Sequence, residues 1–134
     1  MAKKLNTTTM YKSITLLHGE HSEWISKLSF YNDDLVVMRK RLDEVVKTNN
    51  SEEFLTSLEH FQNQIIIQQD QIDTLNHEIN EHENALENSV IHNPVASDHR
   101  KMNDHPEHRE KIARFEELFR TMRKEQMVFL AKWM

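Results

Sequence analysis

The chain is predicted to be all-α, an antiparallel up-down-up bundle of three long, coiled-coil-like helices, on three observations. It contains one glycine (Gly19) and two prolines (Pro94, Pro106) in 134 residues, too few turn-formers for a hairpin-rich fold. Apolar residues recur at alternating spacings of three and four over most of its length, the heptad pattern of helices that pack side by side. The pattern breaks around "KTNN" (47–50) and again between Ile91 and Asn103.

The first helix, about residues 10–48, places Ile14, Leu17, Trp24, Leu28, Tyr31, Leu35, Met38, Leu42 and Val45 on one seam, with position 21, a histidine, in its gap. The second, about 51–91, places Phe54, Leu58, Phe61, Ile65, Ile72, Leu75, Ile79 and Leu86 there, with Gln68 and His82 in the gaps. Asn50 followed by Glu53 reads as a polar N-cap with an acidic residue at N3. The third, about 105–133, carries Ile112, Phe115, Phe119, Met122, Phe129 and Trp133, with Gln126 in its gap and His108 and His105 continuing the spacing upstream. Asp104 followed by Glu107 repeats the capping pattern, and Pro106 then falls in a first turn, where its missing N–H costs little. Residues 92–104 read as a polar loop and the residues before 10 as a short flexible N-terminus. The length suits a single helical domain spanning 1–134. The rod resembles the spectrin-type repeat in architecture alone, without a shared sequence motif. Gln68 and Gln126, polar residues in apolar seams, are expected to fix register.

Composition excludes several functions. A net charge of −5 with both signs interspersed does not suit a phosphate-tracking surface, so no nucleic acid is expected. The absence of cysteine removes disulfides, thiolate metal sites and cysteine nucleophiles together. The start, "MAKKLNTTTMYKS", has no apolar run behind its basic residues. No segment reaches the roughly 20 apolar residues of a membrane span, and a cytoplasmic location is expected. No nucleophile–base pair, glycine-rich phosphate loop or cofactor fingerprint is present, so neither an organic cofactor nor an enzyme activity is indicated.

The stretch "NDHPEHRE" (103–110) sets two histidines three residues apart, on one face of a helix. A short turn near Asn49 predicts the seam pairs Val45 with Phe54, Leu17 with His82, and His21 with Ile79. If Trp133 ends level with Val45, His108 falls beside His21 and His105 beside Leu17. Adjacent layers at one end of the rod then collect His21, His82, His105 and His108, with His18, Glu20 and Glu78 at the seam edges as additional ligands or as partners for imidazole N–H groups. Such a set suits a divalent transition metal, zinc, copper or nickel. Set against this, imidazoles at the wetted end of a rod can be satisfied by water. Isolated pieces of "HEINEHE" (77–83) resemble the hemerythrin pattern, but His77 lies off the seam and no His-x-x-x-His follows. The Glu-x-x-His pairs of ferritin-like di-iron sites are absent.

The leading expectation is a transition-metal-binding helical bundle protein with its histidine cluster at one end. The alternative is a coiled-coil interaction or scaffold protein without metal. The apolar C-terminal stretch "MVFLAKWM" (127–134), where Val128 and Leu130 flank the seam, would then hold a partner or a second copy of the chain. Clustered imidazoles would make either version responsive to pH.

Overall fold

The computed structural model describes the backbone of residues 7–92 and 94–134 and the side chains of residues 15–88 and 105–134. The expected flexible N-terminus lies largely outside the described residues, and the side chains of Ile14 and Asp104 lie outside them entirely. Three helices, α1 (Thr7–Val46), α2 (Glu52–His92) and α3 (Pro94–Trp133), form an all-α three-helix bundle with no strand among the described residues. Contacting residues rise in number together along α1 and α3, as in Glu20 with Arg109, Lys27 with Glu116 and Asp34 with Arg123. Between α2 and α3 they run oppositely, Glu78 meeting Lys111 and Glu53 meeting Lys132.

The heptad seams supply the core. Of the apolar seam positions with described side chains, all are buried except Tyr31 and Trp133, which are partly so and pack against the buried set. Each fully buried Leu, Ile or Phe contributes about 1.5–3 kcal/mol relative to exposure. Gln126 is 1% exposed and donates from Nε2 to the Met38 carbonyl at 3.1 Å, a bond that fixes α3 against α1 at that layer. At the C-terminal end Phe129 and Leu130 are buried in the core while Val128 remains 72% exposed, so the core covers only part of the wide apolar face.

The structure departs from the local sequence signals at two places. The N-cap of α2 is Ser51 and not Asn50: the Phe54 N–H donates to Ser51 Oγ at 3.2 Å, and Glu52 and Glu53 occupy the first turn, where acidic residues favour the helix dipole. Asn49 instead ties ends together, its Nδ2 donating at 2.9 Å both to the Val45 carbonyl and to the Trp133 carbonyl. The second correction concerns the polar loop 92–104. α3 begins at Pro94 and runs through this segment, with Pro106 inside the helix and not in its first turn. Pro94 suits a first helical position, and nothing between it and Pro106 is a glycine. A proline in a helix interior removes one hydrogen bond and costs about 3 kcal/mol in an ordinary helix. The helix is continuous in spite of it.

Residues 47–51 separate α1 from α2, and the Trp133 carbonyl and ring reach Asn49 and Phe54. At the histidine end His82 and His105 both pack on His21, about one helical turn from the sequence-based pairing, whereas Gln126 meets Met38 at the offset that pairing Trp133 with Val45 predicts.

Candidate metal centre

His21, His82 and His105 form one layer, with neighbours other than those the sequence pairing gives. His82 on α2 meets His21, where the sequence pairing had placed it beside Leu17, and His105 on α3 meets His21 and Trp24. His21, His82 and His105 are 2%, 5% and 2% exposed. One side-chain nitrogen from each can be chosen so that all lie within 4.8 Å of one another. Each helix contributes one imidazole, because each seam has a histidine gap at this level.

The ring centroids are 4.8 Å apart for His21 and His82, 5.3 Å for His21 and His105, and 5.9 Å for His82 and His105. A tetrahedral ion with metal–nitrogen distances of about 2.0–2.1 Å sets imidazole centroids roughly 5 Å apart. The trio is thus close to that spacing, and small side-chain rotations bring the nitrogens inward. His21 and His82 are joined by a hydrogen bond of 2.9 Å between Nε2 and Nδ1. Trp24, 5% exposed, stacks on His105 with centroids 4.9 Å apart and planes at 22°, fixing that ring from the core side.

The fourth expected ligand stands slightly apart. His108 lies over His82, centroids 4.9 Å apart, but is only partly buried and its Nδ1 is 3.9 Å from Glu78 Oε2. Glu78 also takes Lys111 at 3.3 Å. His18 is a surface residue, its side chain 60% exposed. Glu20 approaches the trio, with Oε1 3.2 Å from His105 Nε2, and is clamped by Arg109 through bonds of 3.1 and 2.6 Å. Glu20 thus faces His105 at contact distance while Arg109 holds both its oxygens. Both ring nitrogens of His105 are buried without a hydrogen-bond partner among the described residues.

Sequence reasoning passed over Glu83, which holds the centre more closely than Glu20 or Glu78. Its Oε2 accepts a hydrogen bond from His21 Nδ1 and its Oε1 accepts one from His18 Nδ1. The signal was available, since Glu83 follows His82 at a seam edge just as Glu20 precedes His21. Arg109 was likewise missed.

Electrostatics follow from these contacts. Burial pushes the His105 imidazole below its ordinary range, with Glu20 opposing, so it favours the neutral, ligand-competent form. The hydrogen bond to Glu83 raises His18. Burial alone would raise Glu83, but the hydrogen bonds from His21 and His18 outweigh it and its carboxyl lies below the usual range. The Arg109 hydrogen bond lowers Glu20. Burial thus favours a neutral His105, and the hydrogen bonds favour ionised Glu20 and Glu83 beside it. Chemically, it can hold a borderline transition ion; hard, oxygen-seeking ions find no carboxylate among the three buried groups.

No protein-family model matches the chain, and neither a curated protein nor a solved structure matches it. No helix among the described residues is long and apolar enough to cross a membrane.

Proposed function

We propose that the protein binds a divalent transition metal, zinc, copper or nickel, at one end of the bundle. His21, His82 and His105 are the inner ligands, and His108 is the neighbouring imidazole that can complete the set. Glu20, Glu78 and His18 belong to the surround. The observation that carries this reading is the meeting of three buried imidazoles from three helices, one of which, His105, has no hydrogen-bond partner for either nitrogen among the described residues. A buried polar group left unpaired costs about 1–3 kcal/mol. An ion supplies the missing partner and adds binding energy to the folded form alone, since the ligands lie on three separate helices and meet only after folding.

A second reading has its own observation. Met127 and Val128 on the last turns of α3, and Met134 just beyond it, are 55%, 72% and 87% exposed. This apolar strip suits self-association or a partner helix, the scaffold reading.

Native mass spectrometry of untagged protein, before and after chelation, tests both. One metal per chain, lost with chelator, is the expected result. Chains without metal after zinc addition overturn the metal reading, and multiples of the chain mass without metal favour the scaffold.

A further inference from the structure

The carboxylates around the trio are not equivalent. Glu20 is committed to Arg109 through two hydrogen bonds, with His105 Nε2 3.2 Å from its Oε1. Glu78 is shared between Lys111 and a long contact to His108. Glu83 accepts a hydrogen bond from a buried member of the trio, at His21 Nδ1, while its other oxygen accepts one from His18 at the surface.

That bond has a definite consequence for the imidazole. An ionised carboxylate can only accept, so the hydrogen resides on His21 Nδ1, which in the neutral ring leaves the lone pair on Nε2. Nε2 is the nitrogen turned toward His82, 2.9 Å away, on the inner side of the layer. Glu83 therefore sets both the tautomer of His21 and the direction in which its lone pair points.

We infer that Glu83 is the positioning residue of the centre, orienting His21 so that Nε2 faces the ion and making that nitrogen a better donor. Its effect on affinity rests on the metal reading given above; its effect on the tautomer does not. A carboxylate behind a ligating histidine holds ring orientation and raises ligand basicity, and its loss typically weakens metal affinity 10- to 100-fold. His18 meets the other carboxylate oxygen from the solvent side, where its 60% exposure lets water take its place.

The test pairs two measurements on wild type, Glu83→Ala, Glu83→Gln and His18→Ala, with circular dichroism selecting a temperature at which all four are folded. In the metal-free protein, imidazole 15N chemical shifts report the tautomer. The expected result is His21 protonated at Nδ1 in wild type, retained in Glu83→Gln, whose amide oxygen still accepts, and lost in Glu83→Ala. Titration with cobalt(II), a spectroscopic stand-in for zinc, is then followed by visible ligand-field absorption. Glu83→Ala is expected to weaken affinity 10- to 100-fold, Glu83→Gln less, and His18→Ala by no more than about twofold. A residue that served only bundle stability would leave the affinity of the folded protein unmoved. Unchanged tautomer and unchanged affinity in Glu83→Ala overturn the inference, as does an equal loss in His18→Ala. Wild type that develops no cobalt absorption overturns the metal reading itself and the positioning role with it.

Discussion

Replacing His105 with leucine is expected to stabilise the metal-free protein and to abolish its response to metal, so that the order of stability inverts when zinc is added. His105 is 2% exposed and both its ring nitrogens are buried without a hydrogen-bond partner among the described residues. Removing such a group relieves about 1–3 kcal/mol. The stack on Trp24 is lost in exchange, worth about 0.5–1.5 kcal/mol. The net gain without metal is therefore about 1 kcal/mol. With an unfolding entropy of about 2.1 cal/mol/K per residue, 134 residues carry about 0.28 kcal/mol/K, so this gain raises Tm by about 3–4 °C. Zinc at 100 times its dissociation constant adds about 2.7 kcal/mol to wild type, or about 10 °C. The leucine variant, with one inner ligand gone, should show little of this shift. Calorimetric melts of wild type, His105→Leu and a distant control, His60→Ala, in chelator and in zinc, make the comparison. His60 lies exposed beside Phe61, on α2 toward the opposite end of the rod, and its replacement should preserve the zinc shift. Equal zinc shifts in wild type and His105→Leu would refute the reasoning about the ligand set. A leucine variant less stable than wild type in chelator would refute the reasoning about the unpaired imidazole.

Acid should weaken both the fold and the site. Burial depresses the His105 pKa, so its contribution is present above the unfolded value of about 6.5 and is lost as pH falls from there through the lower folded value. His18 has the opposite sign: its raised pKa contributes stability that is complete below about 6.5 and lost as pH rises through the folded value. With a side chain 60% exposed its share is screened, so metal-free melts should show Tm falling below about pH 6.5, and added salt should remove only the small His18 part. Metal affinity should fall over the same range because protonated imidazole cannot ligate, as a zinc titration against pH would show. Gly19→Ala should raise stability by about 0.5–1 kcal/mol, since Gly19 is helical and exposed and a Cβ there meets nothing within 4 Å. Its zinc-induced shift should equal that of wild type, and a smaller one would show that the backbone at Gly19 must adjust when the ion binds.

The sequence by itself determined the helices and what they bury. Apolar residues at alternating three-and-four spacing can be hidden together only on one face of a helix, so Leu28, Ile72 and Phe115 were legible as core without knowing their partners. The same logic marked His21, His82 and His105 as inward-facing, because they fill gaps in otherwise apolar seams. It could not say which residues share a layer. A heptad seam remains apolar when one helix slides along another by a turn, so register is set by features other than its apolar residues: the length of the 47–51 connection, Asn49 holding the Trp133 carbonyl, and the polar seam residue Gln126 bonded to the Met38 carbonyl. Asp104 and Pro106 carry the marks of a helix start, yet α3 continues back to Pro94, since capping signals are local while continuity depends on the backbone on both sides. Nor could the sequence rank Glu83 above Glu20 and Glu78. All three flank the seam, and only the packed rotations of the three helices decided that Glu83 reaches His21 while Glu20 is drawn to Arg109 and Glu78 to Lys111.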